Sequence, residues 1–146
     1  MKAVIQRVKK ASVEVNGEVV GRVGRGIMVL LGINRDDTAK DVQWMVDKIA
    51  NLRIFEKESG KFDESLLDID GELLIVSQFT LYGDCKKGRR PSFTDAMGAE
   101  DAKELFEIFV EKAKEKIKKV EKGIFQANMD VTLINEGPVT LIIDSK

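Results

Sequence analysis

The side chains best suited to chemistry are gathered in one stretch, Glu72 to Phe93, which reads ELLIVSQFTLYGDCKKGRRPSF. Ser77, Gln78 and Thr80 place two hydroxyls and an amide within four residues, with Phe79 between them. A hydroxyl can act as nucleophile or donor, and main-chain N–H groups beside it can stabilise an oxyanion, an effect worth roughly 3–4 kcal/mol per well-aimed donor. The plain alternative is a strand whose hydroxyls bond to their neighbours. Tyr82-Gly83-Asp84 signals a turn. After it, Lys86, Lys87, Arg89 and Arg90 surround Gly88 ahead of Pro91. Arginine grips phosphate bidentately, so this segment reads as a phosphate-binding lip, or else as a solvated charged loop. Cys85 is a candidate nucleophile whose thiol Lys86 and Lys87 would acidify, but no base accompanies it.

The absence of histidine narrows the chemistry sharply. It removes the commonest general base near neutral pH and excludes Ser-His-Asp and Cys-His catalysis. A hydroxyl nucleophile needs a neighbouring base, and none stands beside Thr80 in the sequence. With one cysteine and no histidine, a zinc site is not expected, and neither another metal nor a cofactor is implied. Any hydrolysis must then run on hydroxyls, carboxylates, lysine, backbone dipoles or groups the substrate brings. Asp130 and Glu136 are possible bases that no spacing rule pairs. Trp44, one step from Met45 of a helical stripe, reads as packing.

A second feature is Gly137-Pro138, which holds one of only two prolines in the chain. It falls between two strands, where a hairpin would favour Asn-Gly. A trans turn is the ordinary reading, since only about 5–6% of X–Pro bonds in folded proteins are cis. A cis bond there would make a rigid, water-excluding wedge.

The elements that must position these groups follow from periodicity. Lys2 to Val8 and Ala11 to Val15 alternate as two strands, and Asn16-Gly17 turns the chain back along Glu18 to Val23. Gly26 to Ile33 is a continuous apolar run, a central strand buried on both faces. Thr38 with Asp41 marks a helix start, and Val42, Met45, Val46, Ile49 and Leu52 recur at helical spacing. Arg53 to Phe55 and Leu66 to Ile69 are candidate strands around a charged loop at Gly60, and Asp70-Gly71, a second hairpin signal, leads into the strand that delivers Ser77, Gln78 and Thr80. A long helix carries Ala102, Leu105, Phe106, Phe109, Val110, Ala113, Ile117 and Val120, with Gly123 as its C-terminal cap. Strands near Ile124 to Ile134 and Val139 to Ile143 complete the chain. The order strands, helix, strands, helix, strands predicts a sheet-rich α/β single domain over residues 1–146. Each helix has one apolar stripe, so both are expected on one face of the sheet.

Composition agrees with one folded unit: 146 residues, 43% hydrophobic and 34% charged. No apolar run approaches the roughly 20 residues that span a bilayer, and the first residues lack the apolar core of a signal peptide. With a single cysteine, these point to the cytoplasm and no membrane partner. The net charge is −1, but Asp84 to Arg90 carries a local +3, leaving −4 on the remainder. Such a loop can contact a few phosphates without gripping a duplex tightly.

SQFTLYGD with KGRRPSF, and NEGPVTLIIDS near the end, resemble the D-aminoacyl-tRNA deacylases. The likeness continues through MKAVIQRV, NGEVVGRVGRGIMVLLGI and GIFQANMDVTLINEGPVT and covers essentially the whole chain. The resemblance implies a homodimeric, cytosolic proofreading hydrolase of aminoacyl-tRNA. It would cleave the ester of D-amino acids, and of glycine mischarged on tRNA(Ala). Ser77, Gln78, Phe79 and Thr80 of one subunit would form the reactive cleft at the dimer interface. Gly137 and Pro138 of the partner, as a cis pair, would reject L-amino acids by leaving no room for their side chain. Phe125, Ala127 and Met129 would complete the substrate wall; by their charge, not by the resemblance, Lys86, Lys87, Arg89 and Arg90 would meet the acceptor-stem phosphates of the tRNA. Gln126 departs from the family, which commonly has glycine after the phenylalanine matching Phe125. An aminoacyl ester brings its own ribose 2′-hydroxyl, so the protein need only orient it and stabilise the oxyanion, with Thr80 as nucleophile or as positioning group.

Overall fold

The first fifteen residues form one strand, not the two expected. β1 (Lys2–Val15) runs through the Lys9-Lys10 interruption without ending. Arg7 and Val8 are both buried and Lys9 and Lys10 both exposed, so the strand changes register there. It absorbs the irregularity as bulges against its neighbour. The structure, a computed structural model, describes residues 1–146.

Asn16 and Gly17 take positive φ, as the hairpin signal requires, and return the chain as β2 (Glu18–Val23) along the second half of β1. β3 (Gly26–Gly32) pairs antiparallel with the first half. β6 (Glu72–Ser77) lies parallel to β3, and β7 (Val120–Lys122) parallel to β6. Parallel neighbours need crossovers. The first contains α1 (Ala39–Asn51) and a small hairpin, β4 (Phe55–Glu56) with β5 (Phe62–Glu64). The second contains α2 (Ala99–Lys114). β8 (Asp130–Asp144) returns antiparallel along almost all of β1 and is paired on that side only.

Alternation in β3 and β6 divides the interior in two. Ile27, Val29 and Leu31 with Leu73 and Ile75 face both helices, while Met28, Leu74 and Val76 face Val8, Val13 and Val23. Both helices therefore cover one face, as expected. The other face is closed by the sheet curling over itself. β2 comes so near the end of β7 that a Cβ on Gly21 would stand 2.8 Å from the Lys122 carbonyl oxygen. The result is a sheet-rich α/β domain whose sheet is nearly a barrel.

Several expected elements differ. Leu66 to Ile69 is a turn, because Ser65 and Asp68 bond each other reciprocally. The Ser65 N–H and hydroxyl donate to Asp68 Oδ2, and the Asp68 N–H to Ser65 Oγ. α2 stops at Lys114. Ile117 enters the core from the turn beyond it, and Val120 belongs to β7 because β6 offers an open parallel edge. Gly123 is not a helix cap; it is buried where a Cβ would lie 2.5 Å from Met129 Sδ. Residues 124–129 are irregular, and the two final strands are one, β8. Trp44 does not enter the core. It is 42% exposed on α1 and covered by the Lys48 ammonium, 5.3 Å from its ring centroid.

Candidate active site

β6 is buried from Leu73 to Val76 and ends at Ser77, the last residue registered against β3. The Gln78 N–H still donates to the Leu31 carbonyl at 2.8 Å. The chain then tightens into a 3-10 helix, Phe79–Tyr82. Thr80 is thus on a helical turn and not on the strand that the sequence suggested. Glycine at position 32 makes room for that turn: a Cβ there would be 3.0 Å from Leu81 Cβ and 3.1 Å from the Gln78 carbonyl oxygen. The turn begins with amides that have no preceding helical carbonyl to bond. Thr80 is exposed, and its Oγ1 accepts a hydrogen bond from Gln78 Nε2.

The basic segment leaves and returns at one point. Asp84 and Ser92 exchange N–H···O bonds of 2.8 and 2.9 Å, and the residues between them are exposed, including Lys86, Lys87, Arg89 and Arg90. Gly88 has φ +73, a left-handed turn that suits glycine. The return places Phe93 edge-on to Phe79, with centroids 5.1 Å apart.

Beside this lies a cavity of about 640 Å³. Ser77, Gln78 and Phe79 form one side, Phe93 and Met97 a second, and Phe125, Ala127 and Met129 a third. Eleven of its fourteen lining residues are apolar, so it suits a flat or apolar group with few polar anchors. Phe125 is held from behind by Phe106 of α2, centroids 5.7 Å apart. Six of the site residues expected from the sequence therefore line one cavity. Phe93, Met97 and the alanines at 96, 99 and 102 also line it, and nothing in their types announced that. Met97 is placed by a long-range bond, its N–H to the Ile33 carbonyl at 3.0 Å. Gln126 lines the cavity with φ +63, the left-handed region that favours glycine. Cys85 is exposed in the basic loop and lines no part of the cavity.

Gly137 and Pro138 are not part of that lining. They are exposed on β8, and the peptide joining them is cis. Gln6 faces Thr140 and Val8 faces Asn135, so five steps along β8 match two along β1, and the chain between bulges outward. Asn135 braces the bulge by donating to Gln6 Oε1 at 2.6 Å and Thr140 Oγ1 at 2.9 Å and accepting from the Val139 N–H at 3.0 Å. Buried Arg7 fastens its base, donating to the Glu136 carbonyl at 3.0 Å and the Ile54 carbonyl at 2.8 Å. Gly137 has φ +125, and a Cβ on it would be 2.9 Å from Arg7 Nη2.

Among the titrating groups nearby, burial raises the Tyr82 phenol, helped by the negative charges of Asp37, Asp144 and Asp41, so it stays protonated. No group of three or more Cys, Asp or Glu side chains converges as a metal-holding set. No helix is long and apolar enough to cross a membrane.

Known proteins resemble this chain over nearly its whole length. A family model described as D-Tyr-tRNA(Tyr) deacylase matches residues 4–144. A D-aminoacyl-tRNA deacylase of Thermosipho africanus is 58% identical over 146 residues, covering 100% of this chain and 98% of the relative. One of Clostridium tetani is 57% identical with the same coverage. Among solved structures, a c-Myc DNA unwinding element binding protein is 46% identical with a TM-score of 0.95, covering 100% of this chain and 99% of its own. A probable eukaryotic D-amino acid tRNA deacylase, 21% identical over 97% of each chain with a TM-score of 0.81, shares the fold. By sequence and by architecture, the chain belongs to the D-Tyr-tRNA(Tyr) deacylase family.

Proposed function

We propose that residues 1–146 act as one domain, a hydrolase that cleaves the ester between a D-amino acid and the terminal adenosine of tRNA. The observation that carries this reading is the aromatic-walled cavity beside Ser77, Gln78 and Phe79. Its apolar lining suits an adenine ring, whose faces favour aromatic neighbours. With the base seated there, the ribose and ester fall at the start of the 3-10 turn, whose unpaired amides suit an oxyanion. Gln78 donates to Thr80 Oγ1, and no histidine is present to take a proton from that hydroxyl. Thr80 therefore positions the substrate, and the ribose 2′-hydroxyl assists the cleavage.

Chirality is read by main chain. Gly137 and Pro138 are exposed and absent from their own cavity, which fits a role in the cavity of a second copy. β8 offers the surface for that copy: it is paired on one side only, and beyond the bulge Leu141 and Ile142 are exposed along it, Ile142 by 73%. An L-side chain would collide with the partner's wedge, a D-side chain would point away, and glycine, having none, would pass. Glycyl-tRNA(Ala) is then a second substrate. The exposed basic loop, Lys86 to Arg90, contacts acceptor-stem phosphates; a tRNA substrate fits a cytoplasmic enzyme, and a wedge that works in a second copy's cavity fits a homodimer.

A second reading, nucleic-acid binding without turnover, is prompted by the name of the 46%-identical solved structure. It uses the basic loop and leaves the cavity without a task. Matched D- and L-tyrosyl-tRNA decide between them. The proposal expects rapid hydrolysis of the D ester and none of the L ester above background. Equal rates on both, or binding with no turnover of either, would refute it.

A further inference from the structure

A second cavity, about 630 Å³, has no part in the reaction just described. It is a groove on the outer face of the curled half of the sheet. Residues directly opposite on antiparallel strands present their side chains to the same face. Ser12 is opposite Arg22 on β2 and Thr132 on β8, so the three form one row, with Lys10 two residues away on the same side. Lys119 closes the groove; its ammonium lies 3.0 Å from Glu72 Oε2, which also accepts the Gly24 N–H at 2.6 Å. Glu72 is therefore already committed, and three cations face one carboxylate in this lining. At the far end Glu14 opposite Asp130 would repel an anion and so bounds the cationic part.

The position of the groove suggests what it meets. Ile134 lines it, three residues before Gly137 on the same strand. Gly24 lines it too, and the next residue, Arg25, has its Nε 3.9 Å from Glu136 Oε2. The groove thus adjoins the Gly137–Pro138 bulge of its own chain. If that bulge enters a partner's cavity, the groove is carried to the rim of the partner's site.

We propose that this groove, through Lys10 and Arg22 with the Ser12 and Thr132 hydroxyls, binds backbone phosphates of the tRNA whose ester is held in the partner's cavity. The inference rests on the cross-subunit reading above. Each subunit then supplies a wedge against the wrong hand of amino acid and a cationic track for the RNA leaving the same site. Hydroxyls and a guanidinium in one row are suited to non-bridging phosphate oxygens. Neither contact reads a base, so the groove adds affinity without sequence preference.

The test is the double variant Lys10→Gln/Arg22→Gln in the full-length protein, with its melting temperature compared to wild type. Binding of uncharged tRNA is measured across a salt series, and turnover is measured on D-tyrosyl-tRNA and on D-tyrosyl-adenosine, which has no phosphate. Loss of two phosphate contacts should weaken tRNA binding at low salt by about tenfold and flatten the salt dependence by about one to two units of slope. KM on D-tyrosyl-tRNA should rise in step with kcat unchanged, while D-tyrosyl-adenosine keeps its rate. Unchanged tRNA affinity and salt slope would overturn the proposal, as would an equal loss on the phosphate-free ester. The binding arm needs no turnover, so a wild-type protein inactive on both esters would strike the deacylase reading and leave the groove to be judged by its own measurement.

Discussion

The Thr80 oxygen already accepts a hydrogen bond from Gln78, and no histidine exists to deprotonate it. In the positioning role, Thr80→Ala should lower single-turnover kcat by about tenfold, equivalent to about 1.4 kcal/mol, while a substrate with a 2′-deoxyribose should stall. A loss of several orders of magnitude in the alanine variant would instead assign the hydroxyl as nucleophile. Two backbone positions give opposite stability predictions. Gln126 holds φ +63 in the cavity wall without the freedom of glycine. Gln126→Gly should therefore raise unfolding free energy by about 0.5–1 kcal/mol in a denaturant titration. Gly137→Ala forces a Cβ against Arg7 Nη2 at φ +125 and should lower it by about 1–3 kcal/mol. That Ser77, Gln78 and Phe79 stand together was legible from their adjacency, and they line one cavity. The place of Thr80 was not legible, because the strand-to-turn transition depends on Gly32 of another strand, 46 residues before Gln78.

Among the elements, those governed by local rules were readable. Thr38 caps α1 and Asp41 returns the bond, Thr38 N–H to Asp41 Oδ2 at 2.8 Å, as their spacing implied. Asn16-Gly17 turned the first hairpin. Elements decided by distant partners were misread: the end of α2, where β6 recruits Val120 to Lys122, and the continuity of β8, where β1 pairs on both sides of the bulge. Arg7 was missed as well, since nothing within the alternating N-terminal segment marks a cation that will be buried. It ties β1, the Ile54 carbonyl and the base of the bulge together. Arg7→Met should leave two carbonyls without a donor and cost about 2–4 kcal/mol of stability by denaturant titration. The same variant should hydrolyse L-tyrosyl-tRNA measurably; a stable, still selective variant would show that the bulge needs no such tether.

At the scale of the whole molecule, the chain is held by carboxylates that bridge distant segments. Burial would raise the Glu72 carboxyl, but the Gly24 N–H and Lys119 outweigh it and hold it below its ordinary 4.5. Asp41 is likewise lowered from 3.8: burial is opposed by bonds from the Thr38 backbone, Ser145 and the Thr38 hydroxyl, and by Lys146. A group with a depressed folded-state value stabilises the fold above its unfolded value and loses that contribution as pH falls through the folded one. Thermal stability should accordingly be flat through neutrality and fall below about pH 4.5, with Glu72→Gln making the acid limb shallower in melting curves. The central claim is that one copy's Gly137–Pro138 bulge judges the substrate in another copy's cavity. The most direct measurement mixes two homodimers, Gly137→Ala, whose cavity works but whose wedge is displaced, and Ala127→Trp, whose cavity is filled but whose wedge is intact. With the filled-cavity chain in excess, most working cavities should meet an intact partner wedge, so the leak on L-tyrosyl-tRNA should vanish while D-tyrosyl-tRNA is still hydrolysed. A leak that persists unchanged after subunit exchange would place the wedge in its own chain's site and contradict the account.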